Sequence, residues 1–275
     1  MRKIAYDTHI HSCYSTDSDT PVREQIEQAI RLGLHGICLT DHMDYEYPAE
    51  FSESSESAPF LFDTEIYIHE LNQLKTLYPS LTIQIGVECG MQLSERVLEK
   101  NRKLAKDNPW DYIIGSLHLV EKEDPYFPSY WEGKSADSCV RRYFEQLYEN
   151  ILSFHEFDSL GHLDYIVRYA PDSYDYNPAS FFDIIDEILR FLICNGKALE
   201  INTSGLKSAG RSQNPHLEIL KRYASLGGEL VTIGSDAHTP EHLAFSFAQV
   251  PALMEEAGLH QYITYQKHNP VFHTL

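Results

Sequence analysis

The chain lacks any run of the roughly 18 apolar residues that a membrane-spanning helix needs, so nothing in it reads as a membrane span. Positive charge is also scarce. Its 22 lysines and arginines face 41 aspartates and glutamates, leaving a formal net charge of −19. Nucleic-acid binding draws on cationic contacts to phosphates, so this balance argues against a nucleic-acid partner and for a small-molecule substrate. The five cysteines (Cys13, Cys38, Cys89, Cys139, Cys194) are odd in number and form no CxxC pair. They read as reduced thiols of a cytoplasmic protein rather than a disulfide framework. The opening segment MRKIAYDTHIHS turns polar after two apolar residues and reads as a first strand, not a signal peptide. Repeats, low-complexity tracts and linkers are absent, so residues 1–275 are expected to form one domain.

What the chain does have is an alternation of apolar runs with amphipathic stretches, the pattern of a parallel α/β protein. Strands are expected near 4–10, 35–40, 81–88, 112–118, 158–164, 197–203 and 229–235. Helices follow near 21–33, 63–77, 94–106, 136–152, 178–195, 214–227 and 240–257. Seven β/α units allow an open sheet, but they favour a closed barrel, because polar groups of one chemistry sit at strand exits.

Those groups are imidazoles and carboxylates in the runs YDTHIHS, CLTDHMD, IGVECG, IGSLHL, LGHLDY and TIGSDAH. With Asp17, downstream of the first run, they bring His9, His11, His42, Glu88, His118, His162, Asp236 and His238, all donors suited to zinc, manganese or iron. His9 and His11 alternate on a strand and therefore face the same side. In a parallel barrel the C-terminal strand ends converge on one rim, where residues distant in sequence meet. One ion needs three or four ligands, so nine supply two or three ions: the expectation is a multinuclear metallohydrolase. Two long segments leave ligand-bearing strand ends, 43–62 and 120–135, and are read as lids or specificity elements over that rim.

The ordered motifs THIHS, LTDHMD, VECG, GSLH, GHLD and GSDAH resemble those of the polymerase-and-histidinol-phosphatase (PHP) superfamily, from residue 7 to residue 239. Within it, size and the DPYFPSYWEGKS insertion are similar to the stand-alone bacterial histidinol-phosphatases. The resemblance implies a distorted (β/α)7 barrel with the metal site at the C-terminal rim of the strands. By motif, His9, His11, Glu88 and Asp236 would hold a first ion. Glu88 would bridge to a second, held by His118 and His162, and Asp17, His42 and His238 would hold a third. Many members carry histidine where this chain has Asp17, a change expected to bias the third site toward manganese or iron over zinc.

The implied activity is metal-dependent hydrolysis of a phosphate monoester, L-histidinol phosphate, to L-histidinol and phosphate in histidine biosynthesis. Such hydrolysis has a large barrier. Two ions bridged by Glu88 would bring the pKa of a shared water from about 16 toward 7, giving a bridging hydroxide at neutral pH. Arg168 and Arg211 follow strand ends and are read as phosphate clamps, with Lys207 a weaker candidate. Asp44, or an ion-bound water, is read as the proton donor to the leaving alkoxide. Asp41 and Asp164 are expected to orient His42 and His162. For the substrate's ammonium and imidazole, the expected contacts are the acidic loop with Glu46, Glu50 and Glu53, and the aromatic insertion with Tyr126 and Trp131. The alternative keeps the barrel and its metals but acts on another phosphoester, as a phosphatase or a small-nucleotide phosphodiesterase. An amidohydrolase shares the HxH opening, yet no lysine lies at a strand exit among these motifs. A non-catalytic metal-binding barrel would be expected to lose ligands, and this chain keeps a full set.

Overall fold

The computed structural model describes residues 3–48, 60–208 and 211–275. Strands β1 (Tyr6–Ile10), β2 (Gly36–Leu39), β3 (His42–Met43), β4 (Thr82–Gly90), β5 (Tyr112–Ser116), β6 (Ser159–Leu160), β7 (Ala198–Asn202) and β8 (Val231–Gly234) form one parallel sheet. Its order is β1-β2-β4-β5-β6-β7-β8, with the two-residue β3 pairing separately on β4. The path nearly closes on itself as a barrel of seven parallel strands. Its first and last strands meet at the C-terminal rim, through a parallel bridge between Ile10 and Ala237. The two hydrogen bonds of that bridge, Asp236 N–H to His9 O and His11 N–H to Ala237 O, are each 2.9 Å. Residues expected as metal ligands thus also supply the backbone that closes the barrel.

Helices α1 (Val22–Leu32), α2 (Thr64–Leu77), α3 (Glu95–Asp107), α4 (Ala136–Ser153), α5 (Phe182–Cys194), α6 (Leu217–Ser225) and α7 (Val250–Ala257) lie between or after the strands. Their starts and stops follow local chemistry. Asp63 caps α2 by accepting from the Glu65 and Ile66 amides. Gly33 ends α1 in the left-handed region, at φ 67°, as a glycine can. The expected helix over 240–257 is shorter than the sequence suggested. Pro240 opens only a short 3-10 turn, and Ala244 and Ser246 take positive φ, so α-helix starts at Val250.

Residues 261–275 carry an element that the strand–helix alternation does not announce. Strands β9 (Gln261–Gln266) and β10 (Asn269–Thr274) form an antiparallel hairpin. Lys267 and His268, both at positive φ, make the two-residue turn whose twist suits a hairpin. Ile263 and Tyr265 of β9 pack on Cys38, Tyr112, Ile114 and Ala198 of the barrel strands. The rings of Tyr112 and Tyr265 stack at 5.3 Å. The Ala5 amide donates to the Tyr262 hydroxyl, and the Tyr265 hydroxyl donates to the Asp158 carbonyl, each at 3.1 Å. Both partners precede strands, so the hairpin seals the end of the barrel opposite the ligand rim.

Replacing Tyr265 by alanine is expected to destabilise the fold by about 3–5 kcal/mol, the usual cost of truncating a buried aromatic. Urea unfolding measures this. A loss below about 1 kcal/mol would mean that the hairpin does not act as a plug.

Candidate metal centre

The barrel rim gathers all nine expected donors from separate strand ends. His9 lies on β1 and His11 just beyond it, His42 on β3 and Glu88 on β4. His118 follows β5, His162 follows β6, and Asp236 and His238 follow β8. Asp17 comes from the loop after β1. Asp236 sits at φ 53°, an uncommon conformation for a residue with a side chain, which turns its carboxylate back over β1.

Glu88 is wholly buried at the centre of this constellation. Its Oε1 lies 2.9 Å from His162 Nε2 and 3.2 Å from His118 Nε2. Among the described residues its Oε2 accepts no well-aligned hydrogen bond, yet His42 Nδ1, His9 Nε2 and His11 Nε2 lie 2.9, 3.3 and 3.5 Å away. On one side, His9, His11 and Asp236 bring donor atoms within 4.8 Å of one another, and so do Glu88, His118 and His162 on the other. A third group joins His11, His42 and His238, where the His238 and His42 Nε2 atoms stand 3.1 and 3.6 Å from Asp17 Oδ2.

These donors fit divalent ions. Imidazole nitrogens that converge on a carboxylate oxygen without hydrogen-bond alignment suit coordination better than hydrogen bonding. The electrostatics agree. Burial alone would raise the Glu88 carboxyl, but His9, His42 and His118 hold it well below the usual range. Asp236 is likewise depressed, with burial opposed by His9, His11 and Arg168. Burial would lower the His118 imidazole, yet Asp44 and Glu88 raise it to about 10. His11 is the exception, since burial and the neighbouring His238 and His42 imidazoles hold it well below the usual range, as suits a neutral ligand nitrogen.

Several supporting residues escaped the motif-based reading. Glu200, on β7 and fully buried, accepts from His9 Nδ1 at 2.6 Å through Oε1. Its Oε2 accepts from the His162 amide at 2.8 Å and from Asn202 Nδ2 at 3.1 Å. One carboxylate thereby orients one imidazole and pins the backbone of another. Ser15 Oγ contacts His11 Nδ1 at 3.0 Å and donates to Asp41 Oδ1 at 2.8 Å. Ser204 Oγ stands 3.0 Å from Asp236 Oδ2. Alternation along β7 was the available signal for Glu200, since a carboxylate inside the strand ALEIN must face something polar.

Some expectations are corrected. Asp41 does not orient the His42 ring but binds Ser12 and Ser15, reaching His11 through Ser15. Asp164 holds the Asn214 amide and the His216 N–H, not His162. Asp44, expected as the proton donor, stands against an imidazole: its Oδ1 lies 2.8 Å from His118 Nδ1, and although burial would raise its pKa, His118 and His42 hold it below the usual range. It approaches so closely that a Cβ on Gly90 would overlap it. Glu46 turns to Ser94 and Arg96, and the Trp131 ring N–H donates to the Pro125 carbonyl. Neither lines the cleft. Glu50 and Glu53 lie outside the described residues.

The cleft over the rim measures about 390 Å³, within the range of small-ligand pockets. His42, His118, His162 and His238 form its floor, Tyr126 and Arg168 are on its walls, and Tyr47, Phe60 and Phe127 add aromatic surface from both long loops. Arg168 engages Ser204 and Asp236 and lies over the Tyr165 ring, 5.2 Å from its centre. Arg211 lines a neighbouring cavity instead, donating to the Ala170 carbonyl at 2.7 Å, and Lys207 donates to the Asp236 carbonyl at 3.2 Å from below.

The family model for the PHP domain matches residues 7–204. A probable histidinol-phosphatase from Clostridium acetobutylicum is 33% identical across 93% of this chain and 95% of its own length. The histidinol-phosphatase of Lactococcus lactis is 30% identical across 96% and 95%. A crystal structure of the L. lactis histidinol phosphate phosphatase, complexed with zinc, L-histidinol and phosphate, superposes with a TM-score of 0.88, covering 98% of this chain and 99% of that one at 29% identity.

Replacing Glu200 by glutamine is expected to weaken metal binding by about 10–100-fold, the usual effect of losing a carboxylate behind a ligating histidine. Competition with a chelator, read by metal analysis, tests this. Unchanged metal retention would show that Glu200 does not support His9.

Proposed function

The chain belongs to the PHP domain family, and from that premise we propose that it is a histidinol-phosphatase, a metal-dependent phosphoric monoester hydrolase. The observation that carries this reading is Glu88 buried between two groups of imidazoles, in a chain similar along its whole length to histidinol-phosphatases. We read residues 1–275 as one catalytic domain acting on a small molecule.

His9, His11, Glu88 and Asp236 would hold one ion, Glu88 with His118 and His162 a second, and Asp17, His42 and His238 a third, giving two to three divalent ions. Zinc, the metal named in the L. lactis complex, manganese and iron all suit this mixed imidazole–carboxylate set. Such ions supply an activated water at neutral pH and screen the phosphate charge. The chain's own residues do the rest. Glu88, clasped by imidazoles on both oxygens, keeps the two groups of donors at a constant separation. Arg168 stands at the cleft wall with its guanidinium over the Tyr165 ring and tied to Asp236, and its buried Nε has no hydrogen-bond partner among the described residues. It is placed to donate to a non-bridging phosphate oxygen and to stabilise charge that shifts there during P–O cleavage. Asp44 orients His118, and Glu200 orients His9, so neither ring need reorganise during turnover. The aromatic walls exclude water from the leaving group.

No helix among the described residues is long and apolar enough to cross a membrane. The free cysteines and the chemistry of the substrate support a cytoplasmic setting.

Phosphate release should be measured from L-histidinol phosphate beside AMP, a sugar phosphate, an aryl phosphate and the corresponding diester. The expected result is strong preference for histidinol phosphate, abolished by a chelator and restored by manganese or zinc. Faster turnover of another ester would retain the metal centre and remove the histidinol-phosphatase reading. Arg168→Ala is expected to lower kcat/KM by about 100-fold or more, as loss of a charged phosphate contact does. A loss under about threefold would exclude Arg168 from phosphate binding.

A further inference from the structure

Ser116 is the last residue of β5 and is fully buried. Its hydroxyl donates to Glu88 Oε1 at 2.6 Å, the short distance of a charge-assisted bond from O–H to a carboxylate. Two residues on, His118 brings Nε2 to the same oxygen at 3.2 Å, and His162 brings its own at 2.9 Å. Three groups therefore converge on one carboxylate oxygen. Among the described residues, the other oxygen, Oε2, accepts no well-aligned hydrogen bond.

The three groups are not equivalent. An imidazole nitrogen that binds a metal presents its lone pair and carries no proton. His118 is set up for that state, because its Nδ1 lies 2.8 Å from Asp44 Oδ1, which places the proton of the neutral ring on Nδ1 and the lone pair on Nε2. Once His118 and His162 give Nε2 to an ion, neither can donate to Glu88. Among the described residues, Ser116 is then the hydrogen-bond donor that Oε1 keeps. The backbone holds this hydroxyl from both sides. The Ser116 carbonyl accepts from the Met91 amide at 2.8 Å, next to Gly90, its partner on the strand that carries Glu88. On the other side, the Gly161 amide donates to the Gly115 carbonyl at 2.9 Å, just before His162. A Cβ on Gly161 would lie 2.4 Å from Ser116 Oγ, so the missing side chain there makes room for the hydroxyl.

We propose that Ser116 is a positioning residue for the shared carboxylate: its hydroxyl occupies one lone pair of Glu88 Oε1 and so assigns each oxygen to one group of donors. This rests on the reading of Glu88 as a ligand common to two ions. A carboxylate oxygen has two lone pairs. With one of them held by Ser116, Oε1 has a single lone pair left for an ion at His118 and His162. Oε2 keeps both of its own and faces His9 and His11 at 3.3 and 3.5 Å. The bond also answers part of the Glu88 charge at the stage when the imidazoles have stopped donating to it.

The test uses the manganese-loaded full chain, with electron paramagnetic resonance beside a count of the ions held against a chelator. Manganese ions that share a carboxylate are magnetically coupled and give a spectrum distinct from that of isolated ions. The wild type is expected to show the coupled pair. Ser116→Ala removes the hydroxyl without adding bulk. It should give up one ion at a chelator concentration about 10–100-fold lower than the wild type needs, lose the coupled signal with that ion, and retain the rest. An unchanged chelator midpoint with the coupled signal intact would overturn the proposal and leave Ser116 as a packing residue. Release of all ions together would also overturn it, because that outcome marks a general distortion of the rim. A wild type that holds its ions without any coupled pair would remove the shared role of Glu88, and the proposal with it.

Discussion

Glu88 is a carboxylate with no exposure to solvent, and such a group is stable in a protein interior only when its charge is answered. Here the answer comes from imidazoles on four separate segments: His9 and His11 at β1, His42 at β3, His118 after β5 and His162 after β6. No short peptide can bring those groups together. The barrel does so because parallel strands deliver their C-terminal ends to one rim, and Glu88 sits on β4, near the middle of the sheet order. Much of the remaining rim can be read as a consequence of that one buried charge.

The same region closes the barrel. Where β1 meets β8, the hydrogen bonds flank His9, His11 and Asp236, so strand pairing and ligand geometry are set by the same peptides. Asp7 reinforces the seam from beneath. Its carboxylate receives the Ser235 amide, the Ser235 hydroxyl and the Ala244 amide, while burial raises its pKa to about 6. A Cβ on Gly234 would strike both His9 and Glu200, so the absence of a side chain there permits β8 to approach the ligands. Metal site and fold thus share a boundary, while the hairpin at the opposite end carries stability without touching the chemistry.

Specificity has a different physical basis. The rim supplies charge and would treat many phosphate esters alike, whereas the cleft above it is shaped by two loops that differ in character from the strands. Their aromatic rings are held by short-range contacts, Tyr47 on Phe60 and Tyr126 on Phe127, and by a polar link between Tyr47 and Asp124. An active site divided in this way can keep its reaction while changing its substrate, because loop residues vary without disturbing the barrel.

Much of this was legible in the residues. The alternation of apolar runs indicated a parallel α/β fold, and ligand-type residues at strand exits favoured its closure into a barrel with one rim, because hydrophobic periodicity and side-chain chemistry are local properties. Even there, boundaries slipped: β6 shrank to Ser159–Leu160, and the last helix broke at Ala244 and Ser246, whose backbone conformations no apolar pattern encodes. Which carboxylate supports which imidazole was not legible at all. Asp41 and Asp164 were sensible choices by proximity in sequence, yet His11 is reached by Asp41 through Ser15, and His9 is held by Glu200, 191 residues away. Loop side chains were equally opaque, with Glu46 and Trp131 facing away from the cleft and Asp124 into it. Composition and period therefore determined the fold class and the donor set by themselves. The pairing of donors with their supports, and the wall that meets the substrate, were decided only by tertiary structure, because hydrogen bonds depend on distances and directions in space that sequence order does not record.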